Sequence, residues 1–282
     1  MKILLTNDDG IHGPGIAALH EAIADPTGAL GGPIGELVWT VAPLEVQSAE
    51  SHGITFRSPL MIRQQTINQH MSGVSVDGSP ADCVKVAVSS LWPERFGPGS
   101  RPDLVVSGMN TGANVGINVI YSGTVAAALE AAFLGVPSIA VSLHMGPGSR
   151  HRFDVAARYA RKVIQRVIRN GVGPGKGLQP HECLSLNMPI CSDDGPTPPN
   201  EYNPPLRVCP MNTHAINDAY ERRISPMGEV YYWASGSGLD FKGADKGTDV
   251  NLLFERCATL TPLKYDLTEH ARLRAWAGAV EG

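Results

Sequence analysis

Residues 1–10, MKILLTNDDG, decide the fold, because the apolar run Ile3-Leu4-Leu5 leads directly into two adjacent aspartates and a glycine. A short apolar run that ends in a turn is typical of a strand buried in a parallel sheet. Ligands of such sheets bind beyond the carboxyl ends of the strands, where Asp8 and Asp9 would lie. Two neighbouring carboxylates repel each other unless protons, water or a cation neutralise them. The stretch therefore predicts a cation site, with a simple Asn-Asp-Asp-Gly turn as the alternative.

Apolar strands alternate with helical patterns outward from this stretch, along the first half of the chain. The predicted strands are Ile3–Leu5, Leu37–Val41, Leu104–Val106 and Ile139–Leu143. The predicted helices are Pro14–Ala24, a helix that begins at Pro80 with Ser79 as its N-cap, Thr124–Leu134 and His151–Arg169. This alternation predicts the α/β class, with a Rossmann-like, mostly parallel sheet flanked by helices.

The second half of the chain is less regular. Residues 187–212 are rich in proline and short polar side chains, which predicts a long loop or arm. Beyond the arm we predict strands at Val230–Trp233 and Ala258–Leu263 and a terminal helix from about Thr268. We therefore assign residues 1–186 to a Rossmann-like core and residues 187–282 to an arm, a β-hairpin and a terminal helix. Because a lone hairpin is only marginally stable in water, the second part is expected to pack on another subunit or over its own domain.

Composition excludes several classes of function. The 282 residues carry a net charge of -4, which provides no basic surface for coating nucleic acid. No run approaches the roughly 18 consecutive apolar residues of a membrane span, so no membrane partner is expected. The five cysteines form no paired spacing, and the N-terminus lacks the continuous apolar stretch of a secretory signal. These features predict a cytoplasmic protein.

Further polar clusters follow predicted strands or open a helix, so we expect them to meet Asp8 and Asp9 at one rim of the sheet. Ser48 follows the second strand, Asn110 follows the third, and Ser122-Gly123-Thr124 opens the alanine-rich helix. The free N–H groups of a helix N-terminus are a ready site for phosphate. Two carboxylates, a hydroxyl and an amide oxygen suit a hard cation such as Mg²⁺ or Mn²⁺. Taken singly, each residue is better explained as a surface hydroxyl, a turn residue or a helix cap, and the site is predicted because all of them fall on one rim.

A series of motifs resembles the SurE family, in the same order and nearly from end to end. They are Asn7-Asp8-Asp9-Gly10, Ala42-Pro43 with Gln47-Ser48, Gly78-Ser79-Pro80-Ala81-Asp82-Cys83-Val84, Ser107-Gly108-Met109-Asn110-Thr111-Gly112 with Asn114, Tyr121-Ser122-Gly123-Thr124-Val125-Ala126-Ala127, and Thr248-Asp249 with Leu260-Thr261-Pro262-Leu263 and Asp266-Leu267-Thr268. The resemblance implies a SurE-like fold whose C-terminal arm and hairpin serve oligomerisation, in a homodimer or homotetramer. It also implies a divalent-metal-dependent phosphatase for nucleoside 5′-monophosphates, with 3′-monophosphates as further candidate substrates.

The same resemblance implies roles for individual residues. The expected ligands of one Mg²⁺ or Mn²⁺ per subunit, for which Ca²⁺ is a structural substitute, are Asp8, Asp9, Ser48 and Asn110. Asp8 and Asp9 are also the expected catalytic residues, acting with a metal-activated water. The expected phosphate and substrate contacts are Asn110, Asn114, Ser122, Gly123 and Thr124. One motif departs from the family: an Asn-x-Asn pattern is replaced by Ser185-Leu186-Asn187, which keeps only the second asparagine.

Two other functions use similar sequence features. An aspartyl-phosphate phosphatase also carries acidic residues after an N-terminal strand, but it spaces them Asp-x-Asp, whereas Asp8 and Asp9 are adjacent. A nucleotide-binding module without catalysis would carry the GxGxxG spacing, which the glycines after the first strand lack. Among residues near the site in sequence, His12 and His52 are candidate acids for the leaving alkoxide, and the glycine-rich residues 235–249 are a candidate lid.

Overall fold

The computed structural model describes residues 1–146, 150–217, 219–235 and 239–281. Its strands are β1 (Lys2–Thr6), β2 (Leu37–Pro43), β3 (Ile62–Asn68), β4 (Met71–Val76), β5 (Leu104–Thr111), β6 (Ser138–Leu143), β7 (Cys183–Met188), β8 (Leu206–Val208), β9 (Ala219–Ile224), β10 (Val230–Ser235) and β11 (Ala258–Leu263). Its α-helices are α1 (Pro14–Ala24), α2 (Pro80–Val86), α3 (Trp92–Phe96), α4 (Gly123–Phe133), α5 (Phe153–Arg169), α6 (Asp249–Phe254) and α7 (Leu273–Val280). All strands and helices predicted in the first half are present.

In the described residues, one sheet of nine strands forms the centre of the fold, in the order β3-β4-β2-β1-β5-β6-β7-β11-β8. The strands from β4 to β7 are parallel, whereas β3 and β11 run antiparallel to their neighbours β4 and β7. Helices α1 and α5 pack together on one face of the sheet, and α2 and α4 pack together on the other. The prediction of a mostly parallel α/β fold is therefore confirmed.

The apolar run of β1 lies at the centre of this sheet because its side chains fill the cores on both faces. Ile3 and Leu5 belong to the core beside α1 and α5, and Leu4 belongs to the core beside α2 and α4. All three side chains are fully buried. Since β1 pairs in parallel with β2 on one side and β5 on the other, the residues that follow these three strands meet at one rim.

The β-hairpin predicted in the second half is present as β9 and β10, and the predicted strand Ala258–Leu263 is present as β11, outside this hairpin. Strand β11 joins the main sheet beside β7, because Ala258 and Leu260 pack into the apolar cores there. Strand β10 instead pairs antiparallel with β9, a strand that was not predicted. Since β8 and β11 both lie in the main sheet, that sheet extends across the predicted boundary at residue 186, and the division into two parts stays a prediction.

Part of the proline-rich arm packs on its own domain, and its expected contacts with another subunit stay a prediction. Tyr202 is buried, donates its hydroxyl to Pro189 O at 2.7 Å, and packs edge-to-face against Tyr159 of α5. The arm contains one short strand, β8, and otherwise no long regular element, as its prolines predict. The terminal helix α7 begins at Leu273, five residues later than predicted, after a tight turn at His270–Arg272.

The β9–β10 hairpin is exposed along its whole described length. Tyr220, Tyr232 and Trp233 are 67%, 62% and 63% exposed, although they are large apolar side chains. Exposed aromatic patches of this kind mark interaction surfaces. Separately, none of the described helices is both long and apolar enough to cross a membrane.

Candidate functional site

A cavity of about 370 Å³ lies at the carboxyl ends of β1 and β5, beside the start of α4. It brings together five of the predicted site residues, namely Asp8, Ser48, Asn110, Asn114 and Ser122. These residues come from four separate segments of the chain, as the topology of the sheet predicts. A larger cavity of about 670 Å³ lies between β11 and the turn before α4, but its lining is mainly apolar and includes none of the predicted site residues.

Asp8 is buried at the floor of this cavity and is held by Thr124. Its Oδ2 accepts a hydrogen bond from Thr124 N at 3.0 Å, and its Oδ1 accepts one from the Thr124 hydroxyl. Burial raises the pKa of Asp8 to about 6; the Thr124 bonds lower it less than burial raises it, and the nearby Asp9 charge raises it further. Asp8 therefore sits where an added positive charge would be strongly favoured.

Asp9 is fixed from the neighbouring strand. Its Oδ2 accepts a hydrogen bond from Thr111 N at 2.8 Å, which ties the turn after β1 to the end of β5. A Cβ at Gly13 would lie 3.2 Å from Asp9 Cβ, so the absence of a side chain there leaves room for this carboxylate. Asp9 is half-buried and lies beside the cavity, although it is not among its lining residues.

Asn110 reaches the cavity through an irregularity in β5. The pairing of β5 with β6 shifts register between Gly108 and Asn110. Gly108 has a φ of +135°, and a Cβ there would lie 2.2 Å from Val141 O, so only glycine fits. Because the Asn110 side-chain nitrogen donates to Gly112 O at 2.8 Å, its carbonyl oxygen remains as an acceptor towards the cavity.

Ser48 enters the cavity from an exposed segment that follows β2. The segment begins against Asp8, since Gln47 N donates to Asp8 O at 2.8 Å. Further along, Ser51 donates its hydroxyl to Ile120 O at 2.7 Å and its N–H to Tyr121 O at 3.2 Å. The segment is therefore held both at β1 and at the turn that precedes α4.

Asn114 is held by Asn187, the residue that survives in the altered Asn-x-Asn motif. Asn114 N donates to Asn187 Oδ1 at 2.7 Å, and Asn187 Nδ2 donates back to Asn114 O at 2.9 Å. Asn187 Nδ2 also lies 3.2 Å from Ser185 Oγ, so the serine that departs from the family pattern supports this asparagine. Sequence reasoning missed the role of Asn187, because its partner lies 73 positions away and no local pattern reports the pairing.

The start of α4 has two different roles in the structure. Ser122 caps the helix, since its hydroxyl oxygen accepts a hydrogen bond from Val125 N at 3.1 Å. Thr124 donates both its N–H and its hydroxyl to Asp8, so a phosphate would compete with Asp8 for these two donors. The phosphate contact expected of Thr124 stays a prediction. Gly123 faces Asp8 closely, because a Cβ there would lie 2.8 Å from Asp8 Cβ.

Neither of the two histidines singled out in the sequence lines the described cavity. His52 instead contacts Glu130 of α4 at 2.8 Å, and His12 is exposed. Asn118 and Met145 also line the cavity, and the sequence analysis had singled out neither of them. Leu239, which lines the cavity as well, belongs to the candidate lid at residues 235–249, of which residues 236–238 lie outside the described part of the chain.

The donor set at the cavity fits a hard divalent cation. No group of three or more His, Cys, Asp or Glu side chains suited to a metal occurs in the described residues, and neither His nor Cys is among the described residues that line this cavity. The candidate ligand oxygens are those of the Asp8 and Asp9 carboxylates, the Ser48 hydroxyl and the Asn110 side-chain carbonyl. Mg²⁺ and Mn²⁺ prefer oxygen ligands of these kinds. The close approach of Gly123 to Asp8 also keeps this corner free of a competing side chain.

Several known proteins that are similar to this chain belong to one family. The model of the family described as survival protein SurE matches residues 3–217. The chain is 43% identical over 272 residues to the 5′-nucleotidase SurE of Rhodopirellula baltica, which covers 95% of this chain and 94% of that one. It is 39% identical over 284 residues to the 5′-nucleotidase SurE 1 of Thermus thermophilus, covering 100% and 99% of the two chains. The crystal structure of a SurE protein from Aquifex aeolicus is 31% identical, covers 99% of each chain and superimposes with a TM-score of 0.75.

Proposed function

The chain belongs to the SurE family, and we propose that it is a divalent-metal-dependent phosphatase that hydrolyses nucleoside 5′-monophosphates, and 3′-monophosphates as well, to nucleoside and phosphate. The observation that carries the proposal is the meeting of Asp8, Ser48 and Asn110 in one cavity beside the start of α4. The relatives named 5′-nucleotidase support the substrate class.

The proposed ligands of one Mg²⁺ or Mn²⁺ per subunit are Asp8, Asp9, Ser48 and Asn110, and Ca²⁺ is a structural substitute. When bound, such a cation activates a water for attack and neutralises charge on the phosphoryl group. The chain's own residues hold this site in place: Thr124 orients Asp8, and Thr111 N orients Asp9. Asp9, which is more accessible than Asp8, is the residue we assign to orienting the attacking water or accepting its proton.

The proposed phosphate contacts are Gly123, Ser122 and Asn114, with Asn110 and Thr124 beside them. The N–H of Gly123 lies at the positive end of α4, where the helix dipole favours an anion. Asn114 contributes a rigid wall to the cavity, because Asn187 and Ser142 both bind it. The adjacent spacing of Asp8 and Asp9 disfavours the aspartyl-phosphate alternative, which spaces its two aspartates Asp-x-Asp.

The proposal includes a homodimer or homotetramer in which the exposed β9–β10 hairpin contacts another subunit. Support comes from the aromatic side chains that this hairpin leaves in water. The proposal also includes a reducing, cytoplasmic location, which the five free and buried cysteines support.

The proposal is tested by phosphate release from a panel of 5′- and 3′-nucleoside monophosphates. The purified protein is assayed after chelation and again after Mg²⁺ or Mn²⁺ is restored, beside the Asp8→Asn variant. We expect turnover only with restored metal, and we expect Asp8→Asn to abolish it. Absence of turnover under every metal, with nucleotide binding retained, would contradict the proposal and favour a binding module without catalysis.

A further inference from the structure

We propose that His52 and Glu130 are positioning residues that hold the Ser48 segment, residues 47–53, in register with Asp8. The inference rests on the proposed metal site, because it concerns how one expected ligand is placed relative to another. Neither residue lines the described cavity, so neither is expected to touch substrate or metal.

The Ser48 segment needs contacts to hold its conformation. It lies between β2 and β3 and contains no helix or strand of its own. Ala49 and Ser51 have φ values of +62° and +55°, a region that residues with a Cβ seldom adopt unless surrounding contacts enforce it. Ser48 itself is exposed, so the core does not fix its position. The contacts on either side of Ser48 must therefore do so.

On one side, the segment is bound to β1, since Gln47 N donates to Asp8 O at 2.8 Å. On the other side, His52 Nε2 lies 2.8 Å from Glu130 Oε2 and donates to this carboxylate. The two hydrogen bonds of Ser51 to Ile120 O and Tyr121 O lie between them. Ser48 therefore lies between two contacts of its segment, that of Gln47 with the Asp8 backbone and that of His52 with Glu130 of α4.

Burial and two hydrogen-bond donors hold the Glu130 carboxylate in place. Glu130 is 4% exposed, and its other carboxylate oxygen accepts a hydrogen bond from Lys85 Nζ of α2 at 2.7 Å. Burial raises the pKa of Glu130, but the hydrogen bonds from His52 and Lys85 outweigh this and hold the pKa below its usual value. A buried carboxylate pinned by two donors has little freedom to move.

Helix α4 joins the two halves of the site through Glu130. Thr124, in its first turn, holds the Asp8 carboxylate, and Glu130 lies six residues later, about 9 Å along the helix axis. A single rigid helix therefore contacts Asp8 directly and the Ser48 segment through His52. The spacing between the Asp8 carboxylate and the Ser48 hydroxyl thus depends on the contact between His52 and Glu130 together with the hydrogen bonds of Ser51 to the turn before α4.

Removal of His52 leaves the rest of the fold supported. The chain just beyond it is held on α2, because Ser79 Oγ donates to Gly53 O at 2.6 Å and Thr55 donates to Asp82 from both its N–H and its hydroxyl. Glu130 retains Lys85 as a partner in such a variant. A His52→Ala protein is therefore expected to fold, with greater freedom confined to residues 47–53.

The test measures the affinity for Mn²⁺ alone, from the electron paramagnetic resonance signal of the free ion, in the full-length protein. His52→Ala is expected to raise the Mn²⁺ dissociation constant about tenfold, which is the usual effect of losing a group that supports a ligand. His52→Gln, which keeps a donor of similar reach, is expected to recover most of the affinity. Lys85→Met is the comparison variant. It removes the other donor to Glu130 and leaves the contact with His52, so we expect a smaller loss of Mn²⁺ affinity than in His52→Ala.

A second readout, amide hydrogen exchange without metal, should show faster exchange at residues 47–53 in His52→Ala than in Lys85→Met. An unchanged Mn²⁺ affinity in His52→Ala would overturn the inference. So would equal losses in His52→Ala and Lys85→Met, because Glu130 would then act through its charge, or a His52→Gln variant as weak as His52→Ala. Failure of the wild type to bind Mn²⁺ more tightly than Asp8→Asn would instead overturn the proposed function itself, and the inference with it.

Discussion

The rim of the sheet and the β9–β10 hairpin depart from ordinary burial in opposite directions. At the rim, Asp8 and Thr124 are polar, yet they are 5% and 0% exposed. On the hairpin, Tyr232 and Trp233 are large and apolar, yet more than half of each is in water. A buried carboxylate and an exposed aromatic patch are both unfavourable in isolation. We propose that each region is completed from outside the chain, by a cation at the rim and by another subunit at the hairpin.

The largest expected effect comes from removing charge at the rim. Asp8→Asn keeps the size of the side chain but removes the negative charge expected to hold the cation. Since a bound cation contributes several kcal/mol to stabilising the transition state, phosphate release should fall by about 100-fold or more. Steady-state kinetics with Mn²⁺ measures this, and circular dichroism shows whether the variant folds. A folded variant with wild-type kcat would remove Asp8 from the mechanism.

The second test truncates a buried side chain in the central strand β1. Leu5→Ala in β1 should lower the free energy of unfolding by about 3 kcal/mol, because Leu5 is fully buried. Denaturant unfolding measures the loss. A loss below about 1 kcal/mol would contradict the central place given to β1.

The pH dependence of metal binding is the third test. Burial raises the pKa of Asp8 to about 6, so in the metal-free protein Asp8 takes up a proton as the pH falls through that value. Protons then compete with the cation, and the apparent Mn²⁺ dissociation constant should rise by about tenfold per pH unit below 6. Isothermal titration between pH 5 and 8 measures this slope. A flat profile over that range would contradict the assignment of Asp8 as a ligand.

The raised pKa of Asp8 also predicts how the stability of the metal-free protein depends on pH. Whereas metal affinity falls as the pH is lowered, this stability rises. A carboxyl with a raised folded-state pKa stabilises the fold at low pH, and that contribution is lost as the pH rises from about 4 through about 6. Compared with Asp8→Asn, the metal-free wild type should therefore lose on the order of 2 to 3 kcal/mol across this window. Parallel urea unfolding curves measure the difference, which should disappear when Mn²⁺ is added.

A smaller effect is expected from the residue that supports Asn114. Asn187→Ala removes both hydrogen bonds to the Asn114 backbone, so the cavity wall loosens while the proposed ligands stay. We expect kcat/KM to fall about tenfold, mainly through KM. Ser185→Ala removes only the 3.2 Å contact to Asn187 and serves as the control, with a change within about twofold. Equal effects of the two changes would contradict this role of Asn187.

The smallest effect on folding is expected at the hairpin. Trp233→Ser should change the free energy of unfolding of the isolated subunit by less than about 0.5 kcal/mol, because the side chain is 63% exposed. It should nevertheless reduce the oligomer mass in light scattering, since the hairpin is the proposed contact. An unchanged oligomer together with a destabilised subunit would show that the hairpin serves its own chain.

The sequence predicted several of the buried elements, but it missed the buried strands β4 and β7. Ile3-Leu4-Leu5 is apolar because both faces of β1 are covered, and Pro14 starts α1 as its position in the first turn predicts. By contrast, β9 and the polar edge strand β3 were missed, since their exposed side chains carry no burial pattern. The edge strand β8 is only three residues long and lies within a proline-rich arm.

At the site, the sequence located the residues that follow the strands but not the contacts that hold them. Asp8 follows the apolar run Ile3–Leu5 of β1, and Asn110 follows the apolar run Leu104–Val106 of β5. The strand order alone therefore brings them to one rim. The pairings of Thr124 with Asp8 and of Asn187 with Asn114 span 116 and 73 positions. Such contacts depend on the tertiary approach of two elements, and neither residue type marks them locally.

The most direct test of the account is to locate the cation. Crystals soaked in Mn²⁺ and measured at its absorption edge would show the ion by anomalous scattering. The account predicts one peak per subunit in the cavity, within about 2.3 Å of oxygens from Asp8, Asp9, Ser48 and Asn110. A cavity without a peak at saturating Mn²⁺, or a peak bound only by other residues, would contradict it.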